Sequence, residues 1–446
     1  MIVRIGAGAG FQGDRIGPAV DLAERGALDY LVFECLGERT IALAQQARMA
    51  DPTGGFDPML ERRMRAVLRA CVRNGTRIVT NMGAANPEAA AARTRAVARE
   101  LGLAGLKVAA VTGDDVLGRI GGYVLDETGA PAGDLGERLV SANAYTGISG
   151  VVAALDAGAD VVICGRASDP TLFLAPLVHE FGWARDDWTR LGRGTLVGHL
   201  LECAAQVTGG YFADPGVKDV PYLAGIGYPL AEVSEDGNAV ITKLPGTGGQ
   251  VTRATCIEQL LYEIHDPARY LQPDVVADFS GVEFREIGPD RVAVSGASGA
   301  PSTGMLKVSV GYRDGWIGEG QISYAGANCV ARGRLAVELV RARLEPRASA
   351  MDETRGELVG VNSVWSGGAG GPQTAEVRMR FAARCRDLDT ARLIGEEVEG
   401  LYLTGPAGGG GVTKQVREVL AIASTLVPAT EVTTRVHMEE VRVEVA

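Results

Sequence analysis

The chain has 446 residues, of which 46% are hydrophobic and 22% charged, as is typical of globular proteins. Its net charge of −11 at pH 7 disfavours binding to nucleic acid or to an anionic membrane surface, because both require basic patches. No apolar stretch approaches the roughly 20 residues that span a bilayer, and we expect no signal peptide. Seven scattered cysteines form no CxxC pair, so we expect reduced thiols and a cytoplasmic protein.

Strand and helix patterns alternate through the first half of the chain. Short apolar runs predict strands at residues 2–5, 28–33, 77–80, 106–111 and 160–164. Helical patterns occupy residues 18–25, 88–101 and 147–157, and two more begin near residues 40 and 58. This alternation predicts an α/β fold in which βαβ units build a parallel sheet that is buried on both faces.

The pattern changes after about residue 195. Helices are predicted at residues 195–207, 255–264, 332–344, 388–398 and 413–422. Sheet segments are predicted at residues 220–227, 239–243, 282–287, 291–295, 305–312, 316–324, 374–381 and 432–445, and a flexible loop at 367–371. We therefore expect two domains: a parallel α/β domain of residues 1–275, and a smaller β-rich α+β domain of residues 276–446.

Polar side chains follow four of the predicted strands, where an open parallel sheet binds its ligands. They form four clusters, namely Glu34, Cys35, Glu38 and Arg39; Asn81 and Asn86; Asp114 and Asp115; and Arg166, Ser168 and Asp169. Helix capping or turn formation explains any one cluster equally well. Their joint occurrence at strand ends is what predicts an active site.

Two further segments suggest anion binding. Residues 141–147 (SANAYTG), which include Asn143 and Tyr145, precede a predicted helix whose N-terminus could hold a carboxylate or phosphate. A simple helix cap is the alternative. A glycine loop also precedes the helix predicted at residues 413–422, and its N–H groups could cradle an anion; the alternative is a merely tight loop. The glycines of this cradle are Gly408, Gly409, Gly410 and Gly411.

Other motifs argue against familiar sites. The first loop contains a GxGxxG string from Gly8 to Gly13, but Gly17 and Pro18 delay the next helix, which disfavours a dinucleotide site. Neither a Walker motif nor a GxSxG nucleophile elbow occurs. His199, Glu202 and Cys203 have helical i, i+3, i+4 spacing, but a satisfied core histidine explains them better than a metal site does, so we predict no metal ligands.

Segments along nearly the whole chain resemble, in order, the acyclic terpene utilisation family (AtuA-like proteins). They are residues 28–45 (LDYLVFECLGERTIALAQ), 78–87 (IVTNMGAANP), 141–147, 158–169 (GADVVICGRASD), 199–215 (HLLECAAQVTGGYFADP), 306–325 (LKVSVGYRDGWIGEGQISYA) and 405–411. Ala204 departs from the glycine of that motif. The resemblance implies a catabolic role beside acyl-CoA enzymes in bacteria that degrade acyclic terpenes such as citronellol and geraniol. It assigns no catalytic residue.

The leading hypothesis is an enzyme that acts on a carboxylate or acyl-CoA thioester by hydration, elimination or isomerisation, in the degradation of acyclic terpenes or related branched-chain acids. With only four histidines, carboxyl groups are the expected proton carriers. The candidate catalytic residues are Glu34, Glu38, Asp114 and Asp169. The candidate substrate-binding residues are Arg39, Asn81, Asn86, Asn143, Tyr145 and Arg166.

Two alternatives remain open. The first is a non-catalytic subunit that binds acyl-CoA or scaffolds a degradative complex. The second is a metal-dependent lyase that uses Glu34, Asp114, Asp169 or His199, so a divalent metal is not excluded. No cofactor is identified, and coenzyme A would enter as part of the substrate. The expected partners are a small-molecule carboxylate or acyl-CoA and, because such assemblies are common, a second copy of the chain.

Overall fold

The computed structural model describes residues 1–365 and 374–442. Contacts divide them into two compact units, each considered separately below. One unit takes in the described residues of Met1–Gly311 and Ile422–Ala446, and the other takes in those of Tyr312–Ala421. None of the helices in these ranges combines the length and the apolar character needed to cross a membrane. The predicted loop at residues 367–371 and the end of the predicted strand at 432–445 lie outside the described residues.

Helices and strands are numbered in chain order. The strands are β1 Ile2–Ala9, β2 Tyr30–Phe33, β3 Arg77–Thr80, β4 Lys107–Thr112, β5 Leu139–Ala144, β6 Val161–Cys164, β7 Pro229–Ser234, β8 Ala239–Lys243, β9 Tyr270–Leu271, β10 Val276–Asp278, β11 Glu283–Gly288, β12 Arg291–Ser295, β13 Ser298–Ala300, β14 Met305–Ala325, β15 Met351–Val359, β16 Glu376–Cys385, β17 Gly410–Pro428 and β18 Arg435–Glu440. The helices are α1 Gly17–Arg25, α2 Glu38–Ala50, α3 Leu60–Asn74, α4 Pro87–Glu100, α5 Ser149–Asp156, α6 Thr171–Phe181, α7 Trp188–Glu202, α8 Arg253–Leu261, α9 Cys329–Leu344 and α10 Leu388–Thr404.

The first unit is built on a ten-stranded sheet with the order β11-β12-β8-β7-β1-β2-β3-β6-β4-β18. Strands β1, β2, β3, β6 and β4 are parallel, as predicted. The strands at both edges are antiparallel, so the sheet is mixed and the prediction of a parallel sheet is correct only for its centre. Strands β7 and β8 are antiparallel because the connection between them is a short turn around Gly237 (φ +83°), and such a turn cannot join parallel strands.

Amphipathic helices cover the central strands. In α3 the apolar side chains recur at helical spacing, and the face predicted from Met64, Val67, Leu68 and Cys71 is buried. The central strands are buried over most of their length, and every residue of β2 and β6 is buried. Each fully buried aliphatic or aromatic side chain contributes about 1.5–3 kcal/mol through the hydrophobic effect. This packing fixes the carboxyl ends of the parallel strands.

Helix α7 is held against the small sheet β13-β10-β9 by glycines on both sides of the contact. A Cβ on Gly192 would collide with the carbonyl of Ser298, and one on Gly299 would collide with the carbonyl of Trp188. Only glycine allows backbones to approach so closely. The contact fixes α7, whose last turn carries His199.

The second unit consists of the sheet β15-β16-β14-β17 with α9 and α10 packed on it. Its core includes Tyr324, Met379, Phe381, Ile394 and Val398. Strand β17 occupies the position where residues 413–422 were predicted to be helical, so that prediction is wrong. Val412, Val416 and Val419 have helix-like spacing, but pairing with β14 decides the conformation, because strand propensity depends on tertiary context.

Two other predictions of secondary structure are wrong. Residues 305–312 and 316–324 form one continuous strand, β14, rather than two. Residues 220–227 hold a short 3-10 turn instead of a strand, because Pro221, Gly225 and Gly227 interrupt the pattern. Residues 141–147 do precede a helix, α5, as predicted, and strand β5, which was not predicted, ends within them.

Candidate functional site

Four parallel strands that lie side by side in the order β2-β3-β6-β4 end at one edge of the sheet. Glu34 follows β2, Asn81 follows β3, Arg166 follows β6 and Asp114 follows β4. All four side chains are buried. The carboxyl ends of parallel strands therefore gather polar groups from distant parts of the sequence into one cluster, as ligand sites of such sheets do.

Glu34 is held in a fixed orientation. Its Oε1 accepts hydrogen bonds from Asn81 Nδ2 at 2.8 Å and from the backbone N–H of Leu36 at 2.9 Å. Asn81 is fixed in turn, because its Oδ1 accepts from the backbone N–H of Cys35 at 2.8 Å. Burial, together with the nearby Asp169 carboxylate, raises the pKa of Glu34 to about 8. Glu34 is therefore mainly protonated at neutral pH and can donate a proton.

Asp114 organises the neighbouring strand ends. Its Oδ2 accepts from Asn143 Nδ2 at 2.8 Å and from the backbone N–H of Arg166 at 2.9 Å. Gln45 Nε2 donates to Asn143 Oδ1 at 3.3 Å. Gly165 is required beside this carboxylate, because a Cβ there would collide with it. Burial raises the pKa of Asp114 to about 6, and its contacts mark it as a group that positions Arg166.

Arg166 is the cation at the centre of the cluster. Its side chain is 1% exposed, and its Nη2 donates to Asp169, whose side chain is 36% exposed. The guanidinium carbon lies 4.0 Å from the centre of the Tyr145 ring. Within the described residues, its Nε and Nη1 have no hydrogen-bond partner. Buried donors left unpaired cost about 1–3 kcal/mol each, so they are unusual outside functional sites.

Tyr145 connects this cluster to the protein surface. Its hydroxyl donates to Glu38 Oε1, which also accepts from Lys307 Nζ at 3.1 Å. Lys307 Nζ lies 5.0 Å from the Tyr145 ring centre, on which Arg166 also stacks. Burial would raise the pKa of Glu38, but the Tyr145 hydrogen bond and the two cations outweigh it and hold that pKa at about 2. Glu38 therefore remains ionised and fixes Tyr145.

The glycine-rich loop after β1 is held by a buried arginine. Arg63 Nη2 donates to the carbonyl oxygens of Phe11 at 3.2 Å, Gln12 at 2.9 Å and Asp14 at 3.3 Å. Its Nη1 donates to Cys35 Sγ at 3.1 Å. The arrangement turns loop carbonyls, not N–H groups, toward a cation. The GxGxxG string is thus a structural turn that packs beside Glu34, in agreement with the prediction against a dinucleotide fingerprint.

Gly10 in this loop meets the chain at the end of α7. A Cβ on Gly10 would lie 2.5 Å from the carbonyl carbon of Cys203, whereas one on Gly17 would meet nothing within 4 Å. We expect Gly10→Ala to lower the free energy of unfolding by about 1–3 kcal/mol, because a backbone must move. The matched Gly17→Ala variant should stay within about 0.5 kcal/mol of wild type. Urea denaturation measures both, and equal stabilities would contradict the close approach.

The protein-family comparison can now be set beside this geometry. A family model described as acyclic terpene utilisation family protein AtuA matches residues 3–438. The chain belongs to this family. No curated protein and no solved structure matches it. AtuA membership confirms the resemblance found in the sequence and ties the chain to acyclic terpene utilisation. It leaves the reaction and its residues to be argued from the site.

In this AtuA-family protein, most of the residues predicted for the site share one network. Hydrogen bonds, the stacking of Arg166 on Tyr145 and the electrostatic interaction of Glu34 with Arg166 and Asp169 join Glu34, Glu38, Asn81, Asp114, Asn143, Tyr145, Arg166 and Asp169. Asn86 lies apart and caps α4, since its Oδ1 accepts from the backbone N–H of Ala89 at 3.3 Å. Arg39 is exposed and belongs to none of the network's hydrogen bonds among the described residues. Capping was therefore the correct interpretation for Asn86.

Neither segment predicted to bind an anion has the structure that the prediction assumed. Gly408–Gly411 belong to the second unit and lead into strand β17, so the helix N-terminus on which that cradle depended is absent from this described segment. At the N-terminus of α5, the carboxylate of Asp274 accepts the backbone N–H of Ile148 at 3.0 Å. The sequence pattern did indicate a carboxylate site there, but the carboxylate belongs to the chain itself.

The histidine considered as a metal ligand already has partners within the chain. His199 Nδ1 lies 3.0 Å from Glu202 Oε1, and its Nε2 lies 3.1 Å from the carbonyl oxygen of Leu260. Both ring nitrogens thus have partners, as the core-histidine interpretation requires. Burial lowers the pKa of His199 to about 4. In the described ranges, no group of three or more His, Cys, Asp or Glu side chains is arranged to hold a metal ion.

Several residues of the candidate site were not predicted from the sequence. Lys307 and Ser309 alternate with buried Leu306 and Val308 along β14, and this two-residue period was the available signal. Gln45 lies on α2 two turns after Glu38, so helical periodicity could have grouped them. Glu202 was considered in the sequence only for its helical spacing from His199, because its electrostatic interactions with Asp169 and Arg166 depend on the tertiary fold.

Proposed function

We propose that this AtuA-family chain is an enzyme that transfers a proton at the carbon next to the carbonyl group of a carboxylate or acyl-CoA thioester. Such chemistry underlies hydration, elimination and isomerisation, so the activity is that of a lyase, hydratase or isomerase. One observation carries the proposal: the protonated carboxyl of Glu34 belongs to the same cluster as the buried guanidinium of Arg166, two of whose donors have no partner among the described residues. An acid beside a preorganised donor set is what enolate-type chemistry requires.

Each of the central groups receives a role. Arg166 Nε and Nη1 donate to the substrate carbonyl oxygen and stabilise the negative charge that develops there. Asp169, in contact with both Arg166 and solvent, accepts the proton from carbon. Glu34 delivers a proton to the departing or adding group. Asp114 and Glu38 are positioning residues in this scheme, because they fix Arg166 and Tyr145.

The substrate belongs, in this proposal, to acyclic terpene or related branched-chain acid catabolism, and coenzyme A enters as part of it. All seven cysteines are free thiols, which supports a reducing cytoplasmic setting. The net charge of −11 supports a small-molecule partner rather than nucleic acid or a membrane surface. A homo-oligomer remains part of the same proposal.

The proposal is tested by proton exchange, which does not depend on knowing the product. The purified chain is incubated in D2O with branched and straight acyl-CoA thioesters and their free acids, and deuterium at the carbon next to the carbonyl is measured by mass spectrometry. A thermal-shift screen against the same compounds and against divalent metals selects the ligands, since binding to the folded state raises its stability. We expect a stabilising thioester or acid to acquire deuterium only when the enzyme is present.

Three results would count against the proposal. A stabilising ligand that acquires no deuterium, together with a stable heteromer recovered by pull-down from cell extract, would favour the non-catalytic subunit. Exchange that is lost with chelator and restored by a metal would favour the metal-dependent lyase. Deuterium exchange at the wild-type rate in an Arg166→Lys variant would show that Arg166 does not donate to the substrate carbonyl oxygen as proposed.

A further inference from the structure

Three buried polar atoms without partners among the described residues belong to Arg166 and Glu202. Arg166 Nε and Nη1 are unpaired donors, and Glu202 Oε2 is an unpaired oxygen, among the described residues. Glu202 is buried, at the end of α7. A buried polar atom without a partner destabilises the folded chain, and a ligand that pairs with it removes that cost. The pattern of donors and acceptors therefore describes the ligand that would satisfy them.

The hydrogen bonds of His199 fix the state of Glu202. His199 Nε2 faces the carbonyl oxygen of Leu260 at 3.1 Å, and a carbonyl can only accept, so Nε2 carries the proton. In the neutral ring Nδ1 is then an acceptor. Its partner at 3.0 Å is Glu202 Oε1, which must donate and so carries a proton. Burial favours this neutral pair over an ion pair, in line with the lowered pKa of His199 and the raised pKa of Glu202.

The charges that face this pair come from the candidate site. Glu202 interacts electrostatically with Asp169, Glu263 and Arg166, and His199 with Glu263 and Asp169. Asp169 also acts on Glu34, so it is the common neighbour of both protonated carboxyls. Arg166 offsets the negative charge of Asp169. Glu202 thus belongs to the same cluster as Glu34, and it presents Oε2 as a neutral hydrogen-bond acceptor.

We propose that the substrate is a hydroxyacyl compound whose hydroxyl group donates to Glu202 Oε2 while its carbonyl oxygen accepts from Arg166. The ligand reaches Arg166 by displacing the partly exposed Asp169 carboxylate. This inference rests on the proposed function and selects dehydration and its reverse, hydration, from the reactions considered there. Glu202 is the residue that distinguishes a hydroxylated substrate from its deoxygenated analogue.

The reaction balances with groups already in the site. Asp169 takes the proton from the carbon next to the carbonyl, a C=C bond forms and the C–O bond to the hydroxyl breaks. Glu34 gives its proton to the departing hydroxyl, which leaves as water. A proton shift from Asp169 back to Glu34 restores the starting state. The reverse sequence adds water to the double bond.

The test is a binding comparison that needs no turnover. Dissociation constants of 3-hydroxyoctanoate and octanoate, and of their coenzyme A thioesters, are measured by calorimetry with the full chain. We expect the hydroxylated ligand to bind about tenfold more tightly or better, because it pairs a buried acceptor. Glu202→Gln should keep this preference, since a glutamine amide donates to His199 and its oxygen still accepts. Glu202→Met should reduce it to within about twofold.

The outcomes separate the two proposals. Equal binding of the two ligands by the wild-type chain would overturn the hydroxyacyl assignment, even if deuterium exchange proceeds. Tighter binding of the hydroxylated ligand without any deuterium exchange would support the proposed binding of a hydroxyacyl compound and contradict the proposed enzymatic function. If Glu202→Met is folded by circular dichroism and still binds the hydroxylated ligand more tightly, Glu202 does not bind the hydroxyl group. If that variant does not fold, the comparison of the two ligands with the wild-type chain still tests the hydroxyacyl proposal.

Discussion

We expect Glu34→Gln to lower turnover by about 10²–10⁴-fold, the usual contribution of a general acid or base, while the protein remains folded. Glutamine has the shape of the protonated carboxyl, and its oxygen can still accept from Asn81 and from the backbone of Leu36. It has no proton to give. Turnover is measured under saturating substrate, and circular dichroism reports the fold.

The pH dependence provides the controls for this variant. Because Glu34 acts in its protonated form with a pKa of about 8, wild-type turnover should fall as pH rises through that value. A folded-state pKa above the unfolded value of about 4.3 also means that wild-type stability declines between those two pH values, a loss that Glu34→Gln should not show. As a control, Glu24→Gln at an exposed position of α1 should change neither property. Near-wild-type turnover in Glu34→Gln would exclude Glu34 from the mechanism.

The candidate site was predictable because parallel strand ends obey a general rule. Glu34, Asn81, Asp114 and Arg166 are separated by up to 132 positions along the chain, yet strand periodicity was enough to place them at one edge. This rule does not predict which other polar residues close to the strand ends in sequence also lie at that edge of the sheet. Asn86 satisfies a helix start five residues after Asn81, because capping is a local use of the same side chain.

Errors in the fold arose where distant pairing overrides local pattern. Residues 413–422 carry helix-like valine spacing, but as part of β17 they pair with β14. Lys307 was missed for a related reason, since the alternation around it predicted only a sheet segment and not a contact with Tyr145. Strand propensity is set largely by neighbours that the local sequence does not contain.

Arg166→Lys should lower turnover by about 10²–10³-fold, the usual cost of losing a donor to a developing oxyanion. Lysine keeps the positive charge that pairs with Asp169, so the variant should fold. Its ammonium group cannot reproduce the planar donors at Nε and Nη1 or the stacking on Tyr145. Measured turnover numbers and Michaelis constants will show whether the loss lies mainly in the chemical step.

A second arginine offers a matched comparison, because Arg190 pairs with Asp187 over the same three-residue spacing but at the surface. Arg190→Lys should retain wild-type turnover, since exposed ion pairs contribute at most about 1 kcal/mol.

Arg166→Met should additionally move the basic limb of the pH profile upward, because the guanidinium lowers the pKa of Glu34 in the wild-type protein. Equal turnover in the two lysine variants would mean that the unpaired donors of Arg166 take no part in the reaction. An unshifted limb in Arg166→Met would mean that Glu34 is not the group titrating there.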